Sequence, residues 1–390
     1  MNKTLYILFL LISVIVNGQT MPSNDHFTIN TNMQSLGERL LEGKQGSIVA
    51  IDPTTGEIKC MISNSFMSDS LNRAIAEEYS PGSTFKTAQA LTLLTEGIID
   101  KNKHYSCYDG FWINNVHIGC HKHRSPQNLI GAISNSCNSY FCKAFMDMID
   151  DRNCYNNKAQ AINVWHEYML SMGFGQPLGV DMLGEKGGIV PDAHYLDHIH
   201  HCRWNSQTIM WMGMGQGEVM VTPLQLCNLA ATIANHGFYY IPHINRGTKE
   251  TPIDAKYNNR IETLINANAY NIVTEGMRMT MVNGTAKNQN SKLYQIYGKT
   301  GTAENEGDDH SIFIGFATLK NKTIAICVFI ENGGFGADLA APMASLMIEQ
   351  YLTGKLSIRS QRKAQQWQNY IVLPSEAPDD FEEVQNANGN

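Results

Sequence analysis

The 390-residue sequence has no run of basic residues, and its formal net charge is −7. A nucleic-acid partner needs concentrated positive charge to neutralise phosphates, so its absence argues against that class of function. No internal repeat is apparent, which argues against a repeat array. Nor does any apolar run reach the length of a membrane span. The longest, residues 5–16, would extend roughly 18 Å as a helix against a hydrocarbon core of roughly 30 Å. With Lys3 before it and Asn17-Gly18-Gln19 after it, the run has the pattern of an export signal over residues 1–19, cleaved after Gly18. A short retained membrane anchor is the alternative. No cysteine follows the apolar core, which argues against a lipoprotein anchor. The chain is therefore expected to be exported, in the periplasm or on the outer face of the cytoplasmic membrane.

The nine cysteines show no tetrahedral zinc spacing, even counting Cys120-His121-Lys122-His123 and the histidines of residues 198–202. No metal site is expected on that ground. An odd cysteine count in an exported chain leaves at least one thiol unpaired. Cys107 and Cys120 flank a short aromatic segment that reads as a hairpin, and they are the pair expected to form a disulfide. Cys137, Cys142, Cys227 and Cys327 lie in apolar runs and read as small buried residues.

Three short motifs carry chemistry. In Ser83-Thr84-Phe85-Lys86, preceded by Ser80-Pro81-Gly82, a helix is expected to begin with Ser80 as N-cap and Pro81 in its first turn. Phe85, Ala88, Leu91 and Leu94 recur at helical spacing and Gly97 ends the pattern. Ser83 and Lys86 then share one face of an apolar, interior helix. A serine hydroxyl needs a neighbouring base, and a buried lysine has its pKa lowered toward that role. Ser136-Cys137-Asn138 is a polar notch in an apolar stretch, and alone it reads as a helix cap. Lys299-Thr300-Gly301-Thr302 ends an expected strand, where small residues let an extended peptide add to the strand edge. Each motif alone has an ordinary structural explanation. In this order, with these flanks, they make a serine acyl-transfer site.

The chain resembles the transpeptidase domain of class B penicillin-binding proteins, most closely the elongation-type members. Besides the three motifs, Gly46-Ser47-Ile48-Val49-Ala50-Ile51-Asp52, Asn72-Arg73-Ala74-Ile75, Gly215-Gln216-Gly217, Val221-Thr222-Pro223-Leu224-Gln225 and Glu331-Asn332-Gly333-Gly334 carry the match. The resemblance implies a D,D-transpeptidase that cross-links peptidoglycan stem peptides, binds β-lactams covalently, and needs no cofactor. It assigns Ser83 as nucleophile, Lys86 as its base, Ser136 as proton relay and Asn138 as a donor-peptide contact. Lys299 and Thr300, with Gly301 and Thr302, hold the substrate carboxylate, and the backbone N–H groups of Ser83 and Thr302 form the oxyanion hole. A β-lactamase or D,D-carboxypeptidase sharing the acylation step is one alternative, and a non-catalytic penicillin-binding sensor is another. Family members carry a pedestal domain ahead of the transpeptidase domain. Here the match starts directly after the apolar segment, which argues against partnership with a membrane glycosyltransferase.

An α+β architecture follows from the element pattern. Strands are expected at 47–52, 57–63, 295–302, 311–318 and 323–330, with mostly helical patterns between. They predict one antiparallel sheet of about five strands, built from both ends of the chain and covered by helices, which is the serine β-lactamase/transpeptidase-like fold that the resemblance implies. The transpeptidase domain is expected over 28–356, a final helix over 341–352, and a disordered acidic tail over 374–390.

Overall fold

The structure, a computed structural model, describes residues 26–66, 71–248, 250–305 and 307–373. The expected export segment at 1–19 and the tail at 374–390 lie outside the described residues.

Five strands form the central sheet: β1 (Gly46–Ile51), β2 (Ile58–Asn64), β7 (Gln295–Ala303), β8 (His310–Leu319) and β9 (Lys322–Ile330). Their order is β2-β1-β9-β8-β7, with every neighbouring pair antiparallel. Two small hairpins complete the set, β3 (Gly110–Ile113) with β4 (Val116–Gly119) and β5 (Phe238–Tyr240) with β6 (Arg260–Glu262). The α+β sheet built from both ends of the chain is thus as the sequence indicates.

Side chains alternate across a strand, and both faces of this sheet are covered. Val49, Ile51, Ile312, Ile314, Cys327 and Phe329 point into the larger core with the helices Lys86–Thr95 and Pro223–Ala234. Ile48, Ala50, Ile324, Ile326, Val328 and Ile330 face the helices Thr31–Leu41 and Ala340–Thr353. Double coverage explains why β9 reads as a continuous apolar run, with no polar alternation. The helix Pro223–Ala234 carries the strongest start signal of the chain: Thr222 and Gln225 make a reciprocal capping box with Pro223 in the first turn.

Two helical details differ from expectation. Ser80 does not cap the helix that follows Ser83. The chain enters it through a tight 3-10 turn, Gly82–Phe85, with no side-chain cap, and the α-helix starts at Lys86. Gly82 holds φ +53°, and a Cβ there would meet the Thr302 carbonyl oxygen at 2.4 Å. Contact with β7 therefore sets this turn, and capping chemistry does not. The helix Ala340–Thr353 is also not the last, because Ile358–Gln368 follows it. No residue of that helix is buried, so it lacks the apolar stripe by which a sequence reveals a packed helix. Ala364 and Trp367 still rest on the outer core, and the buried Lys44 ammonium donates to the Trp367 carbonyl at 2.7 Å.

Candidate active site

The three motifs converge from three separate elements. Ser83 sits in the 3-10 turn, half-buried, while Lys86 opens the following helix and is fully buried. One helical turn brings them together: Lys86 Nζ lies 2.8 Å from Ser83 Oγ. Ser136 takes a left-handed backbone conformation at φ 58°, and Cys137 is the N-cap of the helix Asn138–Asp150. The polar notch is thus both a cap and a site wall. This bend aims the Ser136 carbonyl at Lys86 Nζ (2.8 Å) and the Asn138 Oδ1 at the same nitrogen (2.5 Å), with Ser136 Oγ at 3.3 Å.

From the other side comes β7. Lys299 is fully buried and donates to Ser136 Oγ at 2.8 Å and to the Thr300 carbonyl at 2.8 Å. Ser136 Oγ therefore bridges the two lysines. Thr300 Oγ1 pairs with Thr285 Oγ1 at 2.7 Å. Gly301 also serves the packing of the site. A Cβ there would meet Thr84 Cγ2 at 2.7 Å. Its missing side chain admits the Gly82–Phe85 turn against β7. Thr302 follows, half-buried at the cleft edge.

Electrostatics follow from burial. Removal from water disfavours an ammonium, and this lowers the Lys86 pKa to about 8. Burial lowers Lys299 as well, and the neighbouring charge of Lys86 adds to the effect. Two ammonium groups sharing one hydroxyl, with no carboxylate beside them among the described residues, repel each other. An arriving anion would relieve that repulsion.

Two partners of the motif residues, Thr285 and Gly119, carry no sequence signal. Thr285 reaches Thr300 from the turn after the helix Ala267–Val282. Asn138 Nδ2 donates to the Gly119 carbonyl at 2.9 Å, so β4 fixes the amide. The Asn138 backbone N–H donates to Cys120 Sγ at 3.2 Å.

That last contact leads to the cysteines. Cys107 and Cys120 do not form the expected disulfide; both are free thiols. Cys120 instead joins Cys107, His123 and Cys137, and the four ligand atoms lie within 4.8 Å of one another. Cys120 Sγ is 3.4 Å from His123 Nε2, and Ser139 Oγ donates to Cys107 Sγ at 3.2 Å. Three sulfurs and one imidazole nitrogen at such separations are a donor set for a tetrahedral thiophilic cation such as zinc. The expectation of no metal-ligand set is therefore corrected. It failed because the ligands are spread over three segments, brought together by the β3–β4 hairpin and the start of the helix Asn138–Asp150.

With this geometry in hand, known proteins can be compared. The family profile for the penicillin binding protein transpeptidase domain matches residues 46–349. The chain is 30% identical over 371 residues to the peptidoglycan D,D-transpeptidase MrdA of Acinetobacter baumannii, covering 82% of this chain and 53% of that protein. It is 24% identical over 374 residues to MrdA of Escherichia coli K12, covering 83% and 57%. The chain thus spans about half the length of the curated relatives it matches. Among solved structures, penicillin-binding protein 2 of Pseudomonas aeruginosa in complex with WCK 5153 superposes with a TM-score of 0.72 at 27% identity, covering 85% of this chain and 77% of that one. Penicillin-binding protein 2 of Helicobacter pylori shares the fold, with a TM-score of 0.73 at 23% identity, covering 86% and 66%. The profile covers well over half of the sequence, a span that contains all three motifs: this chain belongs to the penicillin-binding protein transpeptidase domain family.

Proposed function

We propose that this chain is a serine acyl-transferase, a D,D-transpeptidase that cross-links peptidoglycan stem peptides outside the cytoplasm. The observation that carries the reading is Lys86 Nζ held 2.8 Å from Ser83 Oγ. The Ser136 carbonyl and Asn138 Oδ1 are acceptors only, and both lie against the same nitrogen. A neutral amine spends its two N–H groups on them and keeps its lone pair for the Ser83 hydroxyl proton. Ser83 Oγ then attacks the carbonyl of the penultimate D-alanine, and Lys86 takes the proton. Backbone N–H groups of Ser83 and Thr302 stabilise the developing oxyanion. Lys299 and Thr300 hold the terminal carboxylate, which supplies the counter-charge that Lys299 lacks. Ser136, bonded to both lysines, passes a proton to the departing D-alanine nitrogen. An amine from a second stem peptide then attacks the acyl-enzyme.

Incubation with a donor peptide ending in D-Ala-D-Ala and an amine acceptor is expected to give the cross-linked product and free D-alanine. Exclusive hydrolysis, with no transfer at saturating acceptor, would favour a carboxypeptidase or β-lactamase instead.

We propose also that Cys107, Cys120, His123 and Cys137 hold one structural zinc ion. When bound, the ion would act as a cross-link and supply no reacting group. Its ligand Cys120 accepts the Asn138 backbone N–H, and its ligand Cys137 caps the helix that Asn138 opens. Purified protein is expected to contain about one equivalent of zinc and to resist alkylation at these cysteines until a chelator is added. Cys120→Ala should lose the metal and lower the Tm. Zinc-free protein with freely reacting thiols and an unchanged Tm would refute the site.

A further inference from the structure

A pocket lies just beyond the end of β7. β7 ends at Ala303, one residue past Thr302, and Glu304 and Asn305 follow directly after it. These last two line a pocket of about 430 Å³ with Trp211, Gln216 and Gly217. Both walls are tied to the nucleophile turn. The Gly82 N–H donates to the Gly215 carbonyl at 2.9 Å. On the other side Gly82 packs against the Thr302 carbonyl, where nothing larger fits. Asn305 is in turn held by Nδ2 contacts to His310 and to Asn332 Oδ1, at 2.9 Å and 3.2 Å.

Polarity along this strand is graded. Lys299 sits buried in the middle of the strand, beside Lys86 of the neighbouring helix, and just past the strand's end stands the exposed carboxylate of Glu304. Neighbouring acids are already engaged. Glu218 lies 2.7 Å from His200 Nε2, and Glu331 accepts from Tyr79 and Gln45 and lies 3.4 Å from Arg73. Among the described residues Glu304 has no ion pair or side-chain hydrogen bond. A peptide added antiparallel to β7 has its C-terminal carboxylate beside Lys299 and its preceding residues running toward Glu304. The residue before the scissile D-alanine lies about 3.4 Å further along the strand. A long side chain there would extend toward the pocket that Glu304 lines.

We infer that Glu304, with the face of Trp211, forms a subsite for a cationic amine on the donor side chain preceding the terminal D-Ala-D-Ala. This inference rests on the acyl-transfer reading and names part of its substrate. Glu304 supplies the counter-charge and Trp211 a cation–π face. Carboxylate and amine of the donor are then matched to opposite charges, one on the strand and one just past its end, which fixes both its direction and its register.

The test uses two donor peptides ending in D-Ala-D-Ala, alike except that the preceding residue is lysine in one and Nε-acetyl-lysine in the other. D-Alanine release gives kcat/KM for each, and the ratio within one variant is the readout, since partial unfolding lowers both rates alike. Wild type is expected to prefer the free amine by about five- to tenfold, the scale of a partly exposed charge-assisted contact. Glu304→Gln should bring the ratio near one, and Glu304→Lys should invert it. A ratio near one in wild type, or an undiminished ratio in Glu304→Gln, overturns the subsite. If neither peptide reacts with wild-type protein, the acyl-transfer reading falls and the subsite falls with it.

Discussion

Ser83→Ala is expected to abolish covalent labelling by a fluorescent penicillin while leaving the thermal midpoint nearly unchanged. The substitution removes one hydroxyl from a half-buried position whose neighbour, Lys86, keeps its bonds to Ser136 and Asn138. No large cavity is opened, so the main stability mechanisms for mutational loss are not engaged. Chemically the change is total, because no other hydroxyl replaces Ser83 Oγ at 2.8 Å from Lys86 Nζ. In wild-type protein the adduct should sit on the peptide containing Ser83 and persist for many minutes. Labelling that survives in Ser83→Ala, read by gel fluorescence and mass spectrometry, would show that the nucleophile is misassigned.

Lys86 and Lys299 should fail in different ways although both are buried lysines touching Ser136. Lys86→Ala removes the base. Acylation should fall by about two to four orders of magnitude, the usual scale for general-base loss, and a higher penicillin concentration should not restore it. Lys299→Ala removes the cation that faces the carboxylate. Its loss should appear mainly as weaker binding, partly recovered at high ligand concentration. The pH profile separates the roles further. Burial lowers the Lys86 pKa to about 8, and only the neutral amine accepts the Ser83 proton. At saturating ligand, where weaker binding by a deprotonated Lys299 is masked, acylation in wild type should therefore rise with pH and level off above about 8. A rate that falls as pH rises through that range, or two variants that both lose only affinity, would contradict these assignments.

Much of the fold was legible because its signals are local. Alternating and continuous apolar runs marked all five strands of the central sheet to within a residue or two. Thr222 and Pro223 announced the helix they open. That Ser83 and Lys86 share one face was legible from spacing, because three residues along a helical turn bring side chains together; their roles needed the other two motifs. Ser80 misled for the converse reason. Local propensity favoured a cap there, but packing of Gly82 against β7 imposed a 3-10 entry.

The sequence by itself determined the order of the three motifs, the strands at both ends of the chain, and the Ser83–Lys86 pair, since each depends on residues within one turn or strand of one another. Only the tertiary structure decided what faces them. Lys299 meets Ser136 across 163 positions, and Lys86 meets Asn138 across 52. Such contacts leave no periodicity in the chain. The same holds for Cys107, Cys120, His123 and Cys137, whose spacing looked like a disulfide beside unrelated residues. Folding of the β3–β4 hairpin against the helix Asn138–Asp150 turned them into a single cluster within 4.8 Å. Strand and helix patterns record which side a residue faces. Which distant residue it meets is set by how those faces pack.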